Sequence, residues 1–129
     1  MTFIIAEVGL AHEGSLGLAF KFVDEAKKAG ADAVKFQTHI PNEESSTSEV
    51  FRVHFSEQDH SRYDYWKRTA FTAEEWFKLA NYCSDQDIEF ISSPFSVAAA
   101  NLLKSCGVSK WKIASGEVLN EPLIDFLAL

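Results

Sequence analysis

Phe3-Ile4-Ile5-Ala6-Glu7-Val8-Gly9 and Ala33-Val34-Lys35-Phe36-Gln37-Thr38 are two short apolar runs, each interrupted by isolated polar side chains. Near-continuous apolar runs of this length read as strands buried on both faces, the habit of parallel sheets. Between them Leu16, Ala19, Phe20, Val23 and Ala26 recur at helical spacing, while Lys21, Asp24, Lys27 and Lys28 take the opposite face. Ser15 is placed to cap that helix and Gly30 to stop it, with lysines in the last turn as the helix dipole prefers. Strand, helix and strand in so few residues make a βαβ unit.

The same beat continues down the chain. Thr72-Ala73-Glu74-Glu75 is a capping box, and Trp76, Leu79, Ala80 and Cys83 follow as a helical stripe. Ile88 to Phe95 reads as a third strand with Pro94 at its end, where a missing N–H is tolerated. Ser96 caps a helix carrying Val97, Ala100, Leu103 and Cys106 inward, and Gly107 ends it. Trp111 to Ser115 is expected as a fourth strand, and Pro122 to Leu129 as a fourth helix. The class is α/β with parallel βα repeats, about four strands and four helices. Two architectures fit: an open doubly wound sheet, or the first half of a TIM (β/α)8 barrel, since a closed barrel takes roughly 250 residues.

Residues 39–70 break the rhythm. Asn42 to Glu49 is polar without apolar period and is expected as a solvated loop; Phe51, Phe55, Tyr63, Tyr65 and Trp66 are expected to anchor the rest of it, with a short helix over Arg62 to Arg68. A loop this long is often mobile or functional.

Composition narrows the function. A formal charge of −7 argues against a broad nucleic-acid surface, though not against a small basic pocket for an anion. Cys83 and Cys106 form no CxxC motif and fall on apolar helical faces, which predicts buried thiols in a reducing cytoplasm. No apolar run is long enough for a bilayer and the N-terminus has no basic signal region, so no membrane partner and a cytoplasmic protein are expected. There is no P-loop ending and no GxGxxG. His12, His39, His54 and His60 lack metal-site spacing and read as loop histidines, His39 being the exception to watch because it directly follows a strand.

In either architecture chemistry gathers beyond the C-terminal ends of parallel strands. That brings Glu7, Lys35, Gln37, Ser92, Ser93, Lys112, Ser115 and Glu117 to one rim. Lysines and hydroxyls there suit a phosphate or carboxylate, and the two glutamates suit proton handling. The other reading is structural: Lys35 and Lys112 simply pair with Glu7 and Glu117.

Four stretches then stand in order and spacing: Ile5 to Gly14, Ala29 to Thr38, Phe90 to Phe95 and Lys112 to Glu117. Together they resemble the N-terminal part of the sialic acid synthase (N-acylneuraminate synthase) family across essentially the whole chain. The resemblance implies a TIM-barrel transferase condensing phosphoenolpyruvate with an N-acetylmannosamine-type sugar (an N-acylhexosamine), with C–O cleavage and phosphate release. It implies phosphoenolpyruvate contacts from Lys35, Lys112 and Ser115, with Glu117 at the reacting carbons and Glu7 orienting the sugar. Gln37 and Ser93 would be lesser rim contacts. A divalent metal, Mn or Mg, is implied for the full-length family, with ligands outside this chain. Residues 1–129 would be a partial barrel domain, inactive alone, lacking the second half-barrel and an antifreeze-like domain, and self-associating or dimeric through its open edges. Ala11 replaces an asparagine usual in the family, which bears on sugar preference. Two alternatives stand beside this reading: a non-catalytic anion-binding α/β module, or a synthase for legionaminic, pseudaminic or a spore-coat acid.

Overall fold

The computed structural model describes residues 1–129. Strands β1 (Ile5–Gly9), β2 (Ala33–Thr38) and β3 (Glu89–Pro94) pair side by side, all parallel, in the order β1-β2-β3. Six helices accompany them: α1 (Leu16–Lys28), α2 (Pro41–Glu44), α3 (Arg62–Thr69), α4 (Ala73–Asp85), α5 (Val97–Ser105) and α6 (Glu121–Ala128). Sequential strand order distinguishes the two architectures. A doubly wound sheet reverses direction at a switch point, whereas a barrel adds each strand on the same side of the last. This sheet is wound as a barrel is.

The local signals act as expected. Ser15, Thr72 and Ser96 each accept an N–H at the start of a helix, and Thr72 and Glu75 complete a reciprocal capping box. One sheet face is covered. Val8, Val34 and Phe36 from the strands meet Ala19, Val23 and Ala26 of α1, Trp76, Leu79 and Cys83 of α4, and Leu103 of α5. Phe36 packs edge-on against Trp76, with ring centroids 6.4 Å apart. Ser92 also points to this covered side, where its hydroxyl lies 2.7 Å from that of Thr38 and donates to the Phe36 carbonyl. Ser92 is therefore a strand-to-strand tie in the core, not a rim residue.

The expected fourth strand is reduced to a single parallel bridge between Ser92 and Trp111, with the Lys112 N–H donating to the Ser92 carbonyl at 3.2 Å. A strand here has only one neighbour, and Lys110 and Lys112 on either side of Trp111 keep their charges in water. The chain turns instead into a short 3-10 turn, Ser115–Glu117, before α6. The parallel βα architecture is unaffected.

His12 departs from the reading of the histidines as loop residues. It lies in the turn after β1 but is fully buried, stacked on Phe71 at 4.3 Å. Its Nδ1 accepts the Gly14 N–H, which places the ring proton on Nε2, a buried atom with no partner. Gly14 sits at φ +80°, and a Cβ there would collide with the Arg68 carbonyl. This close approach of α3 seals the histidine in. Burial pushes its pKa down to about 4. Both cysteines are free, as expected; burial pushes the Cys83 thiol up to about 12.

An imidazole held neutral in the fold, with a pKa of about 4 against 6.5 when unfolded, contributes stability above pH 6.5 that is lost as pH falls toward 4. The expected loss is about 3 kcal/mol. Asp59, held below its ordinary 3.8 by the Arg68 guanidinium, titrates outside that window. Denaturant melts at pH 7 and pH 4.5 measure the difference, and His12→Leu should abolish most of it.

Candidate functional site

The sheet face opposite the core carries polar residues at its centre. In register, Glu7 lies beside Lys35, Lys35 beside Ile91, and Gln37 beside Ser93. This uncovered face forms a cleft of about 670 Å³ lined by Phe3, Ile5, Glu7, Lys35, Ile91, Lys110, Trp111 and Lys112. Lys35 is only 12% exposed and its ammonium pairs with Glu7, which is half exposed. Lys110 pairs with Glu89 at 2.7 Å. Lys112 makes no ion pair; the expected alternative partner, Glu117, instead accepts from the Asn120 amide at 2.7 Å. The ion-pair reading thus holds for Lys35 and fails for Lys112.

A second cleft of about 390 Å³ opens beyond the strand ends, where Gln37, Phe95 and Glu117 meet the 39–70 segment. Gly9 permits the junction between the two. It stands at a bulge in β1 at φ +56°, the left-handed backbone that favours glycine, with Glu7 Oε1 and the Gln37 amide close by on its side-chain side. Ser93 is buried in register with Gln37, whereas Ser115 lies exposed in the 3-10 turn and lines neither cleft. The structure therefore brings Glu7, Lys35 and Lys112 together, and Gln37 with Glu117, but leaves Ser115 apart.

The 39–70 segment is docked through specific charges: the expected solvated face holds at Glu43 and residues 46–48 and is corrected at Glu44 and Glu49. Glu44 is 7% exposed and bonds His39 Nδ1 at 2.5 Å, while Glu49 accepts from Arg62 at 3.0 Å. The legible signal was Pro41, a first-turn residue that starts α2 and folds Glu44 back toward His39. Trp66 is an anchor, as expected, stacked on His39 with the Arg62 guanidinium over its ring at 4.5 Å. Glu44, Glu49, Arg52, Arg62 and Trp66 all line the second cleft, and none was singled out as a site residue from the sequence. Farther along, Arg68 grips Asp59 through two nitrogens at 2.9 and 2.8 Å and reaches Glu13 at 2.9 Å. The Arg68 guanidinium holds the Asp59 carboxyl below its usual range.

No group of three or more His, Cys, Asp or Glu side chains stands where it could hold a metal ion. His39 is engaged through both ring nitrogens and His12 is sealed in the core, while exposed His54 and His60 belong to no such group.

Comparison with known proteins gives this geometry a family. The NeuB family model matches residues 22–129. The chain belongs to the NeuB family. It is 35% identical over 130 residues to an N,N'-diacetyllegionaminic acid synthase of Legionella pneumophila, covering 98% of this chain and 36% of that protein. It is 35% identical over 129 residues to a pseudaminic acid synthase of Campylobacter jejuni, covering 98% and 38%. The crystal structure of an N-acetylneuraminic acid (sialic acid) synthetase from Leptospira borgpetersenii, in complex with citrate, superposes with a TM-score of 0.78 at 33% identity, covering 98% of this chain and 40% of that one. Several relatives are named as synthases, and this chain spans about a third of the length of the curated relatives it matches. No helix is long and apolar enough to cross a membrane.

Two outcomes follow from the ion pairs. Glu7→Gln leaves a mostly buried ammonium without its counter-charge and should cost about 1–2 kcal/mol in urea unfolding, less than a fully buried pair because Glu7 is half in water. Adding Lys35→Met should recover most of that loss. Arg68→Ala should release the Asp59 and Glu13 ties, and limited proteolysis should then cut within 45–60 faster than in the parent chain.

Proposed function

We propose that this chain supplies the phosphoenolpyruvate side of a NeuB-type synthase site. The reaction joins phosphoenolpyruvate to an N-acetylmannosamine-type aldehyde: C3 of the enol attacks the aldehyde carbon, water adds at C2, and phosphate leaves by C–O cleavage. The observation that carries this reading is Lys112, a cation without a carboxylate partner in the same cleft as Lys35. An uncompensated ammonium beside a nearly buried one favours a ligand with two anionic ends.

In this reading Lys112 and Lys35 receive the carboxylate and phosphate, and Lys35 exchanges part of its Glu7 contact for the ligand. Ser115 swings in from the turn to donate to a phosphate oxygen. Glu117 stands at the reacting carbons, steering water or opposing positive charge at C2. Glu7, released toward the strand ends, orients the sugar, and Gln37 and Ser93 border it. The acceptor is one of the N-acylated amino sugars, since relatives named for legionaminic and pseudaminic acids are as similar as 35%. Any divalent metal the reaction uses is held by residues outside this chain. Residues 1–129 constitute the first half of a barrel domain in this proposal, inactive alone, and the open sheet edge pairs with further barrel strands or with a second copy.

Titrating the chain with phosphoenolpyruvate by calorimetry tests the assignment. Saturable binding is expected, weakened about tenfold by Lys112→Ala through loss of one charge-assisted contact. Glu117→Gln should leave that affinity within about twofold, because its role comes after binding. Equal affinity in the parent chain and Lys112→Ala would remove the reading.

A further inference from the structure

Alongside the second cleft lies another, of about 350 Å³, and the two share Gln37, Arg62 and Trp66 as walls. The rest of its surface is mostly apolar. Leu10 and Ala11 come from the turn after β1, Phe55 and Tyr65 from the 39–70 segment. Phe55 meets Tyr65 edge-on at 5.0 Å and still keeps 63% of its surface in water. Apolar walls around a small number of fixed polar groups are the usual make-up of a small-molecule site.

The fixed polar group here is Arg62. Its guanidinium carries five N–H donors, and only one, on Nη1, has an acceptor: Glu49 Oε1 at 3.0 Å. Its plane is held by a stack that runs from Phe95, directly after β3, through His39 and Trp66. The ring separations are 4.0 and 4.8 Å, and the guanidinium follows at 4.5 Å. Glu49 is itself held by the Ser45 hydroxyl at 2.7 Å, and its backbone carbonyl takes the Arg62 N–H. A guanidinium stacked on one face and tied at one nitrogen presents its spare N–H edge in a set direction.

Glu49 also decides what that edge can take. The Arg62–Glu49 pair is neutral as a unit, so a phosphate or carboxylate would compete for a charge already matched. A neutral carbonyl oxygen needs only the spare donors. With apolar walls beside them, the complementary group is a carbonyl bearing a short alkyl chain, as in an N-acyl substituent.

We infer that this cleft is an acyl subsite for the acceptor sugar and that Arg62 is its specificity-determining residue. Arg62 donates to the acyl carbonyl oxygen, and the alkyl end lies against Leu10, Ala11 and Phe55. The shared walls join this subsite to the cleft that holds Glu117. That the ligand is a sugar rests on the proposed function; the preference for an acyl group rests on Arg62 and the apolar walls.

Titration with N-acetylmannosamine, followed by nuclear magnetic resonance, tests the subsite, with mannose as the probe that lacks the acyl group. The parent should bind N-acetylmannosamine about tenfold tighter than mannose, the worth of one charge-assisted hydrogen bond. Binding should shift the Arg62 Nε–H signal, and saturation should pass most strongly to the acetyl methyl. Arg62→Ala should weaken N-acetylmannosamine about tenfold and leave mannose where it was. Because Arg62 also ties Glu49 and stacks on Trp66, Ala11→Phe supplies a second route. It fills the apolar wall from an exposed position of ordinary backbone and should cause the same selective loss with Arg62 intact. No binding of N-acetylmannosamine to the parent, equal affinity for the two sugars, or equal loss of both in a folded variant overturns the inference. Phosphoenolpyruvate binding to the parent is read separately: its absence refutes the proposed function, while the two sugars still decide the subsite.

Discussion

Parallel pairing of β1, β2 and β3 obliges each connection to cross the sheet, and here the crossings lie on one side. The core of Phe36, Trp76, Leu79 and Leu103 therefore occupies a single face. Everything polar on the strands had to go to the other face or find a partner within the core. Lys35 went to the open face and took Glu7; Ser92 stayed in the core and took Thr38. The candidate site is the result of that division. It needs no special backbone beyond the bulge at Gly9, which lets Glu7 and Gln37 approach from neighbouring strands.

The helices and strands were legible because their signals are local. The capping box at Thr72 and the stripes of α1, α4 and α5 depend on neighbours three or four residues away, and they formed as read. Residues 111–115 were misread because an apolar run says what could be a strand, not whether neighbours flank it. His12 was misread for a related reason. A histidine between glycines looks like a turn, and nothing local announces that α3 will close over it.

The site was legible in part. Glu7, Lys35 and Lys112 share a cleft because strand periodicity alone carries them to one face. Ser115 required knowledge of how the chain leaves the sheet, and that turn points it to water. The residues missed altogether, Glu44, Arg62 and Trp66, come from the polar segment that periodicity cannot order. Their partners are ionic and aromatic, at sequence separations that no short pattern spans.

Cys83 offers one more use of the one-sided core. Its thiol is enclosed beneath α4, and burial raises its pKa to about 12, so almost no thiolate is present near neutrality. Cys106 is only half buried. An alkylating reagent should thus take the two sulfurs at different times: one in the native protein, the other when the layer between α4 and the sheet comes apart. The chain carries its own clock for opening, readable as the mass of a second adduct.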